Sequence, residues 1–79
     1  MNKIDSIVIN DNGFAFDPFT GETYTVNDLG ITVLRLFRKK MHLVKIAEEI
    51  SKEYQTSFES TYTDILEFRS QLRLYGLMV

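Results

Sequence analysis

Two turn signatures separated by one short stretch of chain constrain this sequence more than anything else in it. Asn12-Gly13 is the strongest short-range hairpin signal a sequence can carry. Residues 17–21, DPFTG, spell a second turn, in which proline presets φ and glycine accepts a positive φ at the end. Between the two turns stands FAFD, room for one strand only, with Phe14 and Phe16 on one face. IDSIVIN before the turns and ETYTVN after them have the β-branched content of strands. The first 26 residues are therefore expected to form a three-stranded antiparallel meander. On its third strand Tyr24 and Val26 share one face, Thr23 and Thr25 the other.

At Asn27 the period changes from two to 3.6. Asn27 is a good N-cap, and Leu29, Val33, Leu36 and Phe37 then recur at helical spacing with Leu34 alongside. Gly30 in the first turn costs about 1 kcal/mol against alanine, which points to a close approach at that position. RKKM (residues 38–41) ends this helix, its cations at the negative pole. A second helix carries Leu43, Ile46, Ala47, Ile50 and Tyr54 on one stripe, with Lys45, Glu48, Glu49, Lys52 and Glu53 outward. Thr56 or Ser57 caps a third, from Phe58 to about Tyr75, and Gly76 ends it. The order βββααα defines an α+β domain, helices packed on a small sheet.

A chain of 79 residues is read as one domain, 1–79, near the lower limit for an independent core. The absence of cysteine removes disulfides, thiol catalysis and cysteine-based zinc sites. No apolar run reaches the roughly 18 residues of a membrane span, and the N-terminal residues lack the apolar core of a signal peptide, so a soluble, cytoplasmic protein is expected. A net charge of −2 gives no general attraction to nucleic acid. His42, the one histidine, precedes the second helix without any catalytic signature, and Glu48, Glu49 and Glu53 form a solvated face. No phosphate loop, metal-ligand spacing or cofactor motif is present, so no catalytic residue, metal or cofactor is assigned, and the protein is read as a non-enzyme.

The third helix has an unusually wide apolar face. Ile65, Phe68, Leu72 and Tyr75 gather on one core stripe, and Tyr62, Leu66, Arg69 and Arg73 on a second, the two spanning about half the circumference. The second stripe is either further packing, with arginine stems laid over apolar surface, or the wall of a groove that grips something apolar and acidic. The third strand offers another wall: TYTVN has no lysine or proline to protect an open edge, although Lys3 and Asp5 stand near the first strand. Such an edge suits addition of a guest strand, or pairing with a second copy of the chain as a homodimer.

Gly21, Glu22, Tyr24 and Asn27, with Gly30, the EI…Y of the second helix and D-I-x-x-F-x-x-x-L-x-x-x-G-L over residues 64–77, are similar in order and spacing to the PqqD-like family, over residues 7–78. That family includes the RiPP recognition elements. The resemblance implies a winged-helix-like fold. It implies a non-catalytic peptide chaperone of natural-product biosynthesis that binds the leader of a ribosomally made precursor between its third strand and third helix. The domain then presents the peptide to a modifying enzyme such as a radical SAM maturase. Carried onto this chain, the peptide-binding residues are Thr23, Tyr24, Thr25 and Val26 on the edge and Tyr62, Leu66, Arg69 and Arg73 on the wall, with Arg69 and Arg73 suited to acidic leader residues.

The rival reading is a winged-helix DNA-binding domain. Its one basic cluster, Arg35, Arg38, Lys39 and Lys40, lies at the end of the first helix rather than on a recognition helix. That cluster is read as a solvated helix end or as a docking patch for an acidic partner.

Overall fold

The computed structural model describes residues 3–78. Its sheet is a meander of β1 (Val8–Asn10), β2 (Phe14–Phe16) and β3 (Thr23–Thr25), in the spatial order β1-β2-β3 with both pairs antiparallel. Three helices follow: α1 (Asp28–Arg38), α2 (Leu43–Tyr54) and α3 (Phe58–Leu74). This is the expected βββααα order of an α+β fold.

The turns form where their residues demanded. Three residues, 11–13, join β1 to β2, with Gly13 at φ +94°. In the second turn buried Asp17 closes on itself: its Oδ1 accepts from Phe19 N at 2.9 Å and its carbonyl from Gly21 N at 2.8 Å. Asn27 caps α1, its Oδ1 accepting from Gly30 N at 2.7 Å, and Ser57 caps α3 by accepting from Ser60 N at 3.2 Å. At the other end of α3, Leu77 N donates to Leu72 O at 2.9 Å and Gly76 N to Arg73 O at 3.0 Å. This paired closure of a helix C-terminus folds buried Leu77 back on buried Leu72.

Residues 3–6, expected as the start of a strand, instead form a 3₁₀ turn. The reason is the spacing of Ile4 and Ile7, both buried. Positions three apart eclipse in a 3₁₀ turn, whereas a strand would send the two to opposite faces. Ile4 N donates to Leu77 O at 3.0 Å, joining the two ends of the described chain.

Ile4, Ile7 and Ala15 pack with Val33, Leu34 and Phe37 of α1, Ile46, Ala47 and Ile50 of α2, and Ile65 and Leu72 of α3. Small Ala15 is the inward residue of β2, between Ile9 and Tyr24 in register. The face shared by Phe14 and Phe16 is therefore the outer one, with Val8 beside Phe16. On α1 the buried set is Gly30, Ile31, Val33, Leu34 and Phe37, so Leu29 is turned out of the core that the sequence pattern assigned to it. Tyr75, also expected in the core, is 61 % exposed.

The basic cluster at the end of α1 is tied to the residues that flank β1. Arg35 Nη2 meets Asp11 Oδ1 at 2.8 Å, and Lys40 Nζ meets Asp5 Oδ2 at 3.5 Å. Arg38 donates to the carbonyls of Ile7 at 2.9 Å and Asp5 at 3.4 Å. Arg35, Arg38 and Lys40 thus fasten α1 to the N-terminal segment. Among the described residues no helix is long and apolar enough to cross a membrane.

Candidate functional site

The two edges of the sheet are treated differently. Among the described residues neither edge carries a further strand; the contacts of Arg35, Arg38 and Lys40 flank β1 at Asp5, Ile7 and Asp11, whereas β3 borders a groove. The ladder shows which backbone groups that leaves outward. Asp17 N donates to Glu22 O at 2.9 Å and Val26 N to Gly13 O at 2.8 Å, so the register pairs 17 with 22 and 13 with 26 by hydrogen bonds. Antiparallel pairs alternate between bonded and non-bonded. Tyr24 therefore turns its N–H and C=O toward Ala15, while Thr23 and Thr25 turn theirs away from β2.

Those groups border an open groove of about 800 Å³. One wall is Thr23, Tyr24, Thr25 and Val26, continuing into Asn27, Leu29 and Gly30. The other is α3 through Asp64, Glu67, Phe68, Gln71 and Tyr75. Tyr54, Thr56 and Ser60 close the end where α2 meets α3, and Ile50, Ile65 and Leu72 form the floor.

Local chemistry sets the shape of each wall. The Tyr24 hydroxyl donates to Glu22 Oε2 at 2.6 Å, which holds the ring, and the ring lies 5.3 Å from that of Tyr75. The hydrogen bond it donates to Glu22 is the main reason that the Tyr24 phenol is pushed up to about 12, with desolvation next and the negative charge of Glu22 adding to both. Two residues on, Val26 packs over Gly30. A Cβ on Gly30 would stand 2.5 Å from Val26 Cγ1 and 3.7 Å from Phe68 Cζ, so only glycine lets the three elements meet. Phe68 in turn stacks on Phe37 of α1, with ring centroids 6.5 Å apart. Tyr24 facing Tyr75 and Val26 near Phe68 means that β3 and α3 run antiparallel along the groove. Gly21, Glu22, Tyr24, Asn27 and Gly30, the residues that carried the family resemblance, each shape this site through a turn, a held ring, a helix cap or a close approach.

The sequence-derived site is brought together only in part. Thr23, Tyr24, Thr25 and Val26 do line the groove. Tyr62, Leu66, Arg69 and Arg73, expected as the facing wall, do not line it. At about 100° per residue these four lie roughly 100–160° round the α3 axis from Phe68, on the flank beyond the buried stripe of Thr61, Ile65 and Leu72. Tyr62 is half-buried against the core and stacks on Phe58 at 5.6 Å. Leu66 and Arg69 are half-buried, the Arg69 Nε being buried without a hydrogen-bond partner, and Arg73 is exposed. The helical wheel revealed two flanks but not which one turns toward β3. Leu29, Asp64, Gln71 and Tyr75 were missed as groove residues.

A three-stranded meander backed by three helices, with an open groove between β3 and α3, defines a small α+β domain. The chain belongs to the PqqD family: the family model described as coenzyme PQQ synthesis protein D matches residues 12–78. That family comprises small accessory proteins rather than enzymes. No curated protein and no solved structure matches the chain.

Proposed function

We propose that this protein is a non-catalytic peptide-binding adaptor, which takes up the leader of a ribosomally made precursor peptide as a fourth strand on β3 and presents it to a modifying enzyme. The observation that carries the reading is the open edge itself. Thr23 and Thr25 aim two N–H and two C=O groups at a groove whose floor is apolar and whose far wall sets Phe68 and Tyr75 among Asp64, Glu67 and Gln71. Backbone groups at such an edge give affinity without demanding a sequence, and pockets for alternate side chains supply the choice of partner. Membership of the PqqD family supports the same role; the enzyme served is a peptide-modifying one, such as a radical SAM maturase. The peptide contacts of this reading are the four β3 residues with Leu29, Phe68, Gln71 and Tyr75. Tyr62, Leu66, Arg69 and Arg73 stand outside the groove.

The test is an amide-resolved titration of nitrogen-15-labelled protein with the peptide encoded by a neighbouring reading frame. Shifts concentrated at residues 23–26 and at Phe68, Gln71 and Tyr75 are expected. Shifts concentrated instead at residues 62–73 on the Tyr62 flank would move the site to the opposite side of α3. A salt-sensitive response to duplex DNA at residues 35–40, with none to peptide, would replace the adaptor reading altogether. Pairing of β3 with a second copy of the chain would show as a concentration-dependent mass in sedimentation.

A further inference from the structure

We infer that the guest strand is basic at one place: two residues beyond its apolar anchors, where it passes the middle of α3. This rests on the strand-addition reading above and adds the chemistry of the guest.

Among the described residues the groove is lined by carboxylates and by no cation. Asp64 and Glu67, one helical turn apart and both exposed, line it, and no lysine or arginine does. The cations nearest in sequence are placed elsewhere. Arg35 and Lys40 pair with Asp11 and Asp5, Arg38 with two carbonyls, and Arg69 and Arg73 sit on the other flank of α3. At the Tyr75 end a third carboxylate, Glu22, is held beside the groove by the Tyr24 hydroxyl. A guest with aspartate or glutamate facing α3 would set like charges together. The groove thus reverses the preference that Arg69 and Arg73 suggested when assigned to its wall.

The antiparallel run of β3 and α3 locates the cation. Inward side chains of a guest strand level with Tyr24 and Val26 meet Tyr75, Phe68 and Leu29, and must be apolar. Two residues further the strand has advanced roughly 6.6 Å. Four helical residues from Phe68 to Asp64 cover about 6 Å. The next inward position is therefore level with Asp64 and Glu67, within reach of a lysine or arginine. The recognised pattern is apolar-x-apolar-x-Lys/Arg, written from the Tyr24 end of β3 toward its Asn27 end.

The test is selection of a random short-peptide display library on the full chain at low salt, with a counter-screen on Thr25→Pro, which removes one outward N–H. Binders lost on Thr25→Pro are then sequenced. Enrichment of Lys or Arg over Asp or Glu, two residues past an alternating apolar pair, is expected. A synthetic binder should bind the Asp64→Lys/Glu67→Lys variant about tenfold more weakly, and exchange of its basic residue for Glu should restore much of that loss. A Thr25-dependent pool with neutral or acidic residues at that position would overturn the charge assignment and leave strand addition standing. A pool with no dependence on Thr25 would overturn strand addition and this inference with it.

Discussion

The alternation of backbone groups along β3 makes a prediction that needs no knowledge of the natural peptide. Thr25 turns its N–H outward, whereas Tyr24 turns its N–H toward Ala15. In the free protein the amides of Thr23 and Thr25 should therefore exchange with solvent far faster than that of Tyr24, although all three lie in one strand. Proline at position 25 removes a donor that the free fold does not use, as is tolerated on edge strands. Its effect on stability should stay within about 0.5–1 kcal/mol in urea unfolding. Proline at position 24 breaks the ladder to β2 and frees the Tyr75 contact, and should cost about 2–4 kcal/mol. Against a guest strand the ranking changes. Thr25→Pro deletes one hydrogen bond, a net 0.5–1.5 kcal/mol or so, and leaves a guest carbonyl without its donor in a partly shielded groove, about 1–3 kcal/mol more. Taken together, about 1.5–4.5 kcal/mol, binding measured by fluorescence anisotropy should weaken roughly 10- to 2,000-fold at nearly unchanged fold stability. A Thr25→Pro protein that unfolds would show the register of β3 to be reversed. One that folds and binds as wild type does would show that the guest does not add to this edge.

Gly30→Ala should destabilise the fold by about 1–3 kcal/mol despite alanine's higher helix propensity, because its Cβ would meet branched Val26 at 2.5 Å; urea unfolding and the amide shift of Val26 report both effects. Arg35→Ala removes an exposed ion pair and should cost no more than about 0.5 kcal/mol, whereas Arg38→Ala leaves two carbonyls of the N-terminal segment without their donor and should cost about 1–3 kcal/mol. Tyr24, raised from 10.0 to about 12, stays protonated longer in the folded state than in the unfolded one. Its contribution to stability is thus complete below pH 10 and is lost as pH rises through about 12, and Glu22→Gln should bring its ionisation, followed by ring carbon-13 shifts, back toward 10.

Much of this architecture is a local matter and was legible as such. Asn12-Gly13 and the Asp17 turn act within five residues of themselves, and Asn27, Ser57 and Gly76 satisfy helix ends within a turn, so each could be read without its surroundings. The meander, the three helices, their boundaries and the unprotected third strand followed from those signals. The 3₁₀ turn at residues 3–6 was not visible, because what decides it is burial of Ile4 and Ile7 together beneath the C-terminal residues, a contact across nearly the whole chain.

The site divided along the same line. Its strand wall was fixed by turn register, which counts residues along the chain and nothing else. Its helix wall was not, because Phe68 and Tyr75 share the periodicity of the core stripe, and periodicity alone does not separate a residue under the sheet from one at the groove. The choice was made by Gly30, whose missing Cβ lets Val26 and Phe68 close together, and by the Glu22-held ring of Tyr24 resting against Tyr75. Those contacts join residues 38 to 51 positions apart. Side-chain identity supplied the means for them, but only packing in three dimensions determined that Asp64 and Phe68, rather than Leu66 and Arg69, face the open strand.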